Sequence, residues 1–323
     1  MPRADLLLAL VRAGSKSDTV TFRRSLEAII AEERGRQHHV LADRLAEYLN
    51  GGSKDQGGVS NAPTPDSLGR LIFELAPRRH LDDLILSDAV RQDIDEVVEE
   101  QSRQSLLRAH GLEPRHKLLL VGPPGNGKTS VAEALAEALA LPFFVVRYEG
   151  VIGSFLGETA SRLRQVFDFV RARECVLFLD EFDTLGKERG DPHDTGEVKR
   201  VVSSLLLQID DLPSYVIVVT ATNHPELLDR AVWRRFDLQL ELPPPTHAQL
   251  SNWIDRFESR LGGPLGPVRE DLTAALSGRS FSDLEMFGLD VMRRGILAEQ
   301  GGALGPLVKS RLGRLKRRPS ATS

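Results

Sequence analysis

One lysine inside a glycine-rich turn carries the clearest chemical signal in this sequence. The turn fits the pattern G-x-x-x-x-G-K-[ST], and it follows an apolar run and opens a stretch that is typical of a helix. Backbone N–H groups of such a turn can surround phosphate oxygens, and the N-terminus of the following helix adds partial positive charge. The residues that would form this phosphate site are Gly122, Pro123, Pro124, Gly125, Asn126, Gly127, Lys128, Thr129 and Ser130.

The residue types of this turn, which we call the phosphate loop (residues 122–129), predict distinct roles. Lys128 would reach the β- and γ-phosphates of a nucleotide, and the hydroxyl of Thr129 would be a ligand for Mg²⁺. The predicted cofactors are therefore ATP and Mg²⁺. The alternative is a glycine-rich turn between a strand and a helix that binds no nucleotide.

Two acids, Asp180 and Glu181, follow the apolar run 176–179 directly. Carboxylates at the end of a buried strand need a partner, because an unpaired buried charge is costly, and a bound cation would be one. We expect Asp180 to hold Mg²⁺ through water and Glu181 to orient and polarise the water that attacks the phosphate. A helix cap is the alternative explanation of this acidic pair.

Four short apolar runs predict the strands that position these motifs: residues 117–121, 143–146, 176–179 and 216–219. Runs of this kind are typical of strands that are buried in a parallel sheet. Helical patterns separate them, so we expect an α/β sheet that is covered by helices on both faces. After Pro243 only helical patterns remain, which indicates a small helical lid.

The predicted organisation has four parts. Residues 1–50 would form an N-terminal helical domain that recruits a partner or a substrate, and residues 51–68, rich in Gly, Ser and Pro, a flexible linker. Residues 69–245 would form the αβα nucleotide-binding domain, and residues 246–323 a helical lid with a basic C-terminal tail.

Composition limits the classes of function. The formal net charge is -4, which argues against nucleic-acid binding by bulk charge alone. The single cysteine, Cys175, excludes an intrachain disulfide and a zinc site built from cysteines. Apolar runs near the start are too short for a signal peptide or a membrane span. We therefore expect a cytoplasmic protein with no membrane contact.

With these motifs, residues 80–300 resemble the AAA family of ATPases within the larger AAA+ group. The resemblance implies the P-loop NTPase αβα sandwich with a parallel sheet and a C-terminal lid, and it implies ATP hydrolysis. Asn223, at the end of Thr220-Ala221-Thr222-Asn223, looks like the family's sensor-1 residue. Arg234 and Arg235 match the finger positions that act on the ATP of a neighbouring subunit, which implies a homo-oligomer, by family expectation a hexamer.

The segment Phe155-Leu156-Gly157 resembles the family's first pore loop, whose aromatic residue grips an extended polypeptide in the central channel of the ring. A buried Phe that packs on the sheet is the alternative. The start of the third lid helix departs from many AAA+ groups, because Ser282-Asp283-Leu284-Glu285 replaces a sensor-2 arginine and Arg279 lies three residues away. This departure favours the protein-remodelling branch.

The resemblance leaves three functions open. The first is remodelling of a polypeptide by threading through a ring. Small bacterial AAA proteins that this chain resembles serve a partner encoded nearby, some beside a subtilisin-like protease and in phage defence.

The second possible function is action on nucleic acid, although a solvated tail is the plainer interpretation. It is suggested by a basic tail of Lys309, Arg311, Arg314, Lys316, Arg317 and Arg318. The third is an ATP-switched scaffold.

Overall fold

A computed structural model of the protein describes residues 24–25, 27–31, 68–147, 156–182, 195–297 and 304–315. The chain divides into two compact units, Met1–Pro63 and Thr64–Ser323. In the first unit, residues 24–25 and 27–31 are helical, and Ile29 and Ile30 are buried. The strands and the other described helices belong to the second unit. None of the helices within the described ranges is long and apolar enough to cross a membrane.

Six strands of the second unit form one sheet in the order β1-β3-β4-β5-β2-β6. Strand β1 pairs antiparallel with β3, and every other neighbouring pair is parallel. The strands are β1 (Ile72–Leu75), β2 (Lys117–Val121), β3 (Phe143–Val146), β4 (Cys175–Leu179), β5 (Val216–Thr222) and β6 (Leu238–Glu241).

Helices cover both faces of this sheet. The helices of the sheet domain are α1 (Asp88–Ser102), α2 (Gln104–Ala109), α3 (Lys128–Ala138), α4 (Leu156–Arg171), α5 (Thr195–Asp210) and the short α6 (Arg230–Trp233). Strand side chains alternate between two apolar clusters, so Leu118 and Leu120 pack with α1 and α3 while Leu119 packs with α4 and α5. The predicted αβα layering is therefore present.

The described part of the lid, residues 246–297 and 304–315, contains four helices around an apolar cluster of their own. They are α7 (His247–Leu261), α8 (Val268–Leu276), α9 (Phe281–Leu297) and α10 (Leu304–Leu315). Trp253 and Phe257 stack with their ring centroids 5.0 Å apart, and Val308 and Leu312 bring α10 onto the same core. The first seven residues of the predicted basic tail, 309–315, therefore belong to a packed lid helix.

Two edge strands are additional to the four predicted from sequence. β6 carries alternating polar and apolar residues, and its burial alternates in the same way, so it lacks the continuous apolar run that marks a central strand. β1 has only its first residue, Ile72, fully buried. The expected parallel sheet forms from five strands, and β1 adds an antiparallel edge.

Candidate active site

The phosphate loop connects β2 to α3, as the sequence motif predicts. Its first residue, Gly122, has a φ of 151° and donates its N–H to the carbonyl of Thr222 at 3.3 Å. A Cβ at this position would lie 2.2 Å from the carbonyl oxygen of Leu242. Only glycine therefore fits between the ends of β5 and β6, and this fixes where the loop leaves the sheet.

Lys128 begins α3 and is buried, with 6% of its surface exposed. Its ammonium donates to the carbonyls of Gly122 at 2.6 Å and Pro123 at 3.1 Å, so the lysine folds back over its own loop. It also donates to Oδ1 of Asn223 at 2.7 Å. A buried ammonium that donates to neutral oxygens such as these can exchange them for phosphate oxygens with a gain in electrostatic energy.

The acidic pair lies beside the loop because β4 and β2 flank β5 in the sheet. Oγ1 of Thr129 donates to Oδ2 of Asp180 at 3.3 Å, and the backbone N–H of Glu181 donates to Oδ1 of Asp180 at 2.8 Å. Glu181 itself is exposed and has a φ of 48°, which is uncommon for a residue other than glycine. The turn therefore presents the Glu181 side chain to solvent next to Asp180.

A hydroxyl and a carboxylate this close form a suitable ligand set for Mg²⁺, which prefers oxygen ligands and usually retains waters and phosphate oxygens. Within the described residues no cluster of three or more His, Cys, Asp or Glu side chains could hold a metal by itself. The residues present thus fit a cation that is held jointly by Thr129, Asp180 and a nucleotide.

Asn223 reaches the site because it directly follows β5, the strand between β2 and β4. The sheet order therefore brings together Lys128, Thr129, Asp180 and Asn223, which are separated in the sequence. These are the residues that sequence reasoning assigned to one site.

The lid also contacts the phosphate loop, which sequence reasoning missed. The N–H of Ser282 donates to the carbonyl of Gly125 at 2.9 Å, and the N–H of Phe281 donates to Oδ1 of Asn126 at 3.3 Å. Arg279, three residues before Ser282, donates from Nε to the carbonyl of Ala275 at 3.2 Å. Backbone donors leave no signature in side-chain patterns, so only the serines at the start of α9 could have indicated this contact.

The two arginines matched to finger positions lie near the amino-terminal end of β2, opposite the end that carries the phosphate loop. Asp237, two residues after Arg235, accepts hydrogen bonds from the backbone N–H groups of His116 and Lys117, each at 3.0 Å, where β2 begins. Five residues of β2 separate this edge from the phosphate loop, about 16 Å of extended chain. An arginine side chain cannot cover that distance within one subunit.

The two arginines differ in their contacts. Arg235 pairs with Asp210 at the end of α5, and Nζ of Lys117 lies 3.8 Å from the same carboxylate. Arg234 is exposed and forms no ion pair with the described residues. Arg234 is thus the more accessible of the two, and Arg235 is tied to its own subunit.

The structure describes only part of the predicted pore loop, residues 155–157. Phe155 lies outside the described residues, and for Leu156 and Gly157 the structure describes only the backbone, at the start of α4. Cys175 is fully buried at the start of β4, and burial raises the pKa of its thiol to about 12, so it stays protonated and serves packing.

These observations define a nucleotide-binding α/β protein whose phosphate loop, acidic pair and polar strand end share one edge of a parallel sheet. Comparison with known proteins agrees. The family model described as ATPase family associated with various cellular activities (AAA) matches residues 118–244. An uncharacterized AAA family ATPase, y4kL, of Sinorhizobium fredii is 36% identical over 290 residues, which cover 88% of this chain and 87% of that protein.

More distant relatives are longer than this chain. The peroxisomal ATPase PEX6 of Pichia angusta is 35% identical over 208 residues, covering 60% of this chain and 18% of that protein. The ATP-dependent zinc metalloprotease FtsH 1 of Methylacidiphilum infernorum is 34% identical over 249 residues, covering 74% of this chain and 38% of that protein. The chain belongs to the AAA family of ATPases, and it is an enzyme that hydrolyses ATP to ADP and phosphate.

Proposed function

We propose that this ATPase works as a Mg²⁺-dependent homo-oligomeric ring that remodels polypeptides. In the proposed site, Lys128 and the phosphate-loop N–H groups hold the β- and γ-phosphates. Thr129 and Asp180 hold Mg²⁺, which would neutralise charge on the phosphates. Glu181 orients the attacking water, and Asn223 contacts the γ-phosphate or that water.

The observation that supports an oligomeric ring is the position of the arginine pair near the amino-terminal end of β2, away from the phosphate loop. Because about 16 Å of β2 separates the phosphate loop from Asp237, an arginine near Asp237 is better placed to serve the nucleotide of another copy than that of its own subunit, and Arg234, which is exposed, is the better candidate of the pair. A guanidinium supplied by a neighbour would stabilise charge on the transferred phosphoryl group. The number of six subunits is a family expectation and stays a prediction.

The polypeptide substrate is supported by the pore-loop resemblance of Phe155-Leu156-Gly157, which leads into α4. It is also supported by FtsH 1, a relative whose name describes an ATP-dependent protease. We extend the proposal to a recruiting role for residues 1–50, separated from the ATPase by residues 51–68. A partner protease and a phage-defence setting stay predictions, as does a cytoplasmic location, which depends on the single cysteine.

The test uses an unfolding assay on a fluorescent protein that carries unstructured extensions, with ATP consumption measured in parallel. Phe155→Ala should lower the amount unfolded per ATP hydrolysed by at least about tenfold, because the grip on the substrate is lost. Phe155→Tyr is the matched control, since it keeps an aromatic ring. An unchanged ratio for Phe155→Ala would eliminate the pore assignment.

The nucleic-acid alternative depends on the basic tail, and one basic residue of that tail is already paired inside the lid. Arg311 is 8% exposed and lies 3.5 Å from Asp290 of α9, so it is occupied within the lid. A deletion from residue 309 would remove part of α10 and damage the lid core. Deleting residues 316–323 alone therefore tests this alternative, and salt-dependent DNA binding that the deletion abolishes would support it.

A further inference from the structure

Two hydrogen bonds, both donated by backbone N–H groups, join the phosphate loop to the start of lid helix α9. The N–H groups of Phe281 and Ser282 are the donors, and Oδ1 of Asn126 and the carbonyl of Gly125 are the acceptors, at 3.3 and 2.9 Å. The first N–H groups of any α-helix have no partner within the helix, so they are available for such contacts. Here the lid uses two of them on the loop.

The Asn126 side chain is buried to an unusual degree for its type, with 4% of its surface exposed. Its Nδ2 has no hydrogen-bond partner among the described residues. An unmet buried donor costs free energy, so a side chain that stays in this position needs a compensating contact. The hydrogen bond from Phe281 to Oδ1 is the contact that the structure provides.

The phosphate loop and the start of α9 are also closely packed. Gly125 has a φ of 79°, and a Cβ there would lie 2.9 Å from Oγ of Ser280 and 3.0 Å from Cβ of Ser282. Ser280 caps α9, because it accepts from the N–H of Asp283 while Asp283 accepts from the N–H of Ser280, both at 3.2 Å. This reciprocal cap fixes the direction of the first-turn N–H groups.

We propose that Asn126 is a positioning residue that fastens the phosphate loop to the lid through the backbone N–H of Phe281. Leu284, Phe287 and Val291 of α9 are buried in the lid core, so a shift of the first turn of α9 moves the lid. A change in loop conformation when phosphate binds is thereby transmitted to the lid without a sensor-2 arginine. The inference rests on the proposed nucleotide site.

A proline substitution isolates the donor. Phe281 is the first residue of α9, a position where proline is well tolerated, and a residue before proline prefers extended backbone, as at a helix cap. Phe281→Pro removes the N–H, whereas Phe281→Ala keeps the N–H and loses the same aromatic ring. The comparison of these two variants therefore reports on one hydrogen bond.

The first measurement is binding of a non-hydrolysable ATP analogue with Mg²⁺. Asn126→Ala should raise the Kd about two- to tenfold relative to the unmodified protein, and Phe281→Pro should do so relative to Phe281→Ala. The double variant Asn126→Ala/Phe281→Pro should bind like Phe281→Pro alone, because the proline has already removed the bond that Asn126 accepts. Equal binding by Phe281→Pro and Phe281→Ala, or fully multiplicative effects in the double variant, would overturn the proposal.

The second measurement is hydrogen exchange of the amides of residues 284–297 at saturating analogue. The nucleotide should change their protection in the unmodified protein, and this change should be at least halved in Asn126→Ala. A full response in Asn126→Ala would contradict the coupling even if Phe281→Pro failed to fold. Lys128→Ala separates the two hypotheses: if it binds the analogue normally, the proposed nucleotide site is wrong, whatever the lid does.

Discussion

Lys128 and Asn223 are in direct contact: the ammonium of the first donates to Oδ1 of the second at 2.7 Å. The contact joins Lys128, which belongs to the phosphate loop and begins α3, to the residue that directly follows β5. We expect Asn223→Ala to lower kcat about 10²- to 10³-fold, because a polar group aimed at the transferred phosphate is lost. The binding of ATP should change less than kcat.

Asn223→Asp provides the contrast for that prediction. A carboxylate would hold the Lys128 ammonium as an ion pair and would repel the γ-phosphate, so ATP affinity should fall further than in Asn223→Ala. Steady-state kinetics and nucleotide titration distinguish the two variants. Equal kcat in Asn223→Ala and the unmodified protein would remove Asn223 from the site.

Glu181 offers a cleaner separation of binding from hydrolysis. It is exposed beside Asp180, and Glu181→Gln keeps its shape while it removes the charge that polarises water. Hydrolysis should fall about 10²- to 10⁴-fold, and ATP with Mg²⁺ should still bind. Phosphate release and retention of radiolabelled ATP measure the two properties. Asp180→Asn should instead weaken the binding of Mg²⁺ and raise the Mg²⁺ concentration that hydrolysis requires.

The arginine pair can be tested by mixing variants. Arg234→Ala alone and Lys128→Ala alone should each hydrolyse ATP poorly. In a mixture, Lys128→Ala subunits can supply Arg234 to intact phosphate loops of Arg234→Ala neighbours, so activity should return in part. No recovery at any ratio, in oligomers shown by light scattering to be mixed, would count against action between subunits.

Arg235 should behave differently from Arg234. Because Arg235 pairs with Asp210, Arg235→Ala and Asp210→Asn should both lower the free energy of unfolding, whereas Arg234→Ala should not. The expected loss is about 0.5–1 kcal/mol for a partly exposed pair of this kind. Urea unfolding of the three variants measures it. A stability loss confined to Arg234→Ala would reverse the assignment.

His116 predicts a pH dependence of stability. Burial lowers its pKa below the ordinary 6.5, against the opposing effect of Asp237, and Nε2 is buried without a hydrogen-bond partner in the described part of the chain. As the pH falls through about 6.5, the unfolded chain binds a proton before the folded protein does. The free energy of unfolding should therefore decrease toward lower pH.

The control is a second histidine. His116→Gln should flatten the decrease between pH 7 and 5 relative to the control variant His110→Gln, whose side chain is exposed. Urea denaturation at several pH values gives both slopes. The prediction is wrong if the slopes of the two variants coincide.

The sequence was sufficient for the central strands and for the place of the phosphate-loop motif between a strand and a helix, because both follow from local patterns. Apolar runs predicted β2 to β5, and sheet order then brought Lys128, Asp180 and Asn223 together. β6 was missed because its alternation is that of a half-exposed edge strand. The family is confirmed by comparison with relatives, whereas the roles of individual site residues stay predictions.

Other features were not predictable from residue types. The contact of Phe281 with Asn126 uses a backbone donor, so no side-chain pattern marks it. The difference between Arg234 and Arg235 depends on Asp210, which is far from them in sequence and meets them only in the fold. Such long-range pairings need the tertiary structure, because a single sequence records no distances.

The fit of Gly122 against Leu242 has a mechanical consequence. The N–H of Leu242 donates to the carbonyl of Val121 at 2.7 Å, and the chain then runs through Pro243 to Pro245 into α7. The segment that connects the sheet to the lid is therefore packed directly against Gly122, the first residue of the phosphate loop. Lengthening or stiffening the segment from Leu242 to Pro245 should change nucleotide affinity and lid motion to a similar extent. Residues inserted between the sheet domain and the lid should therefore follow Pro245.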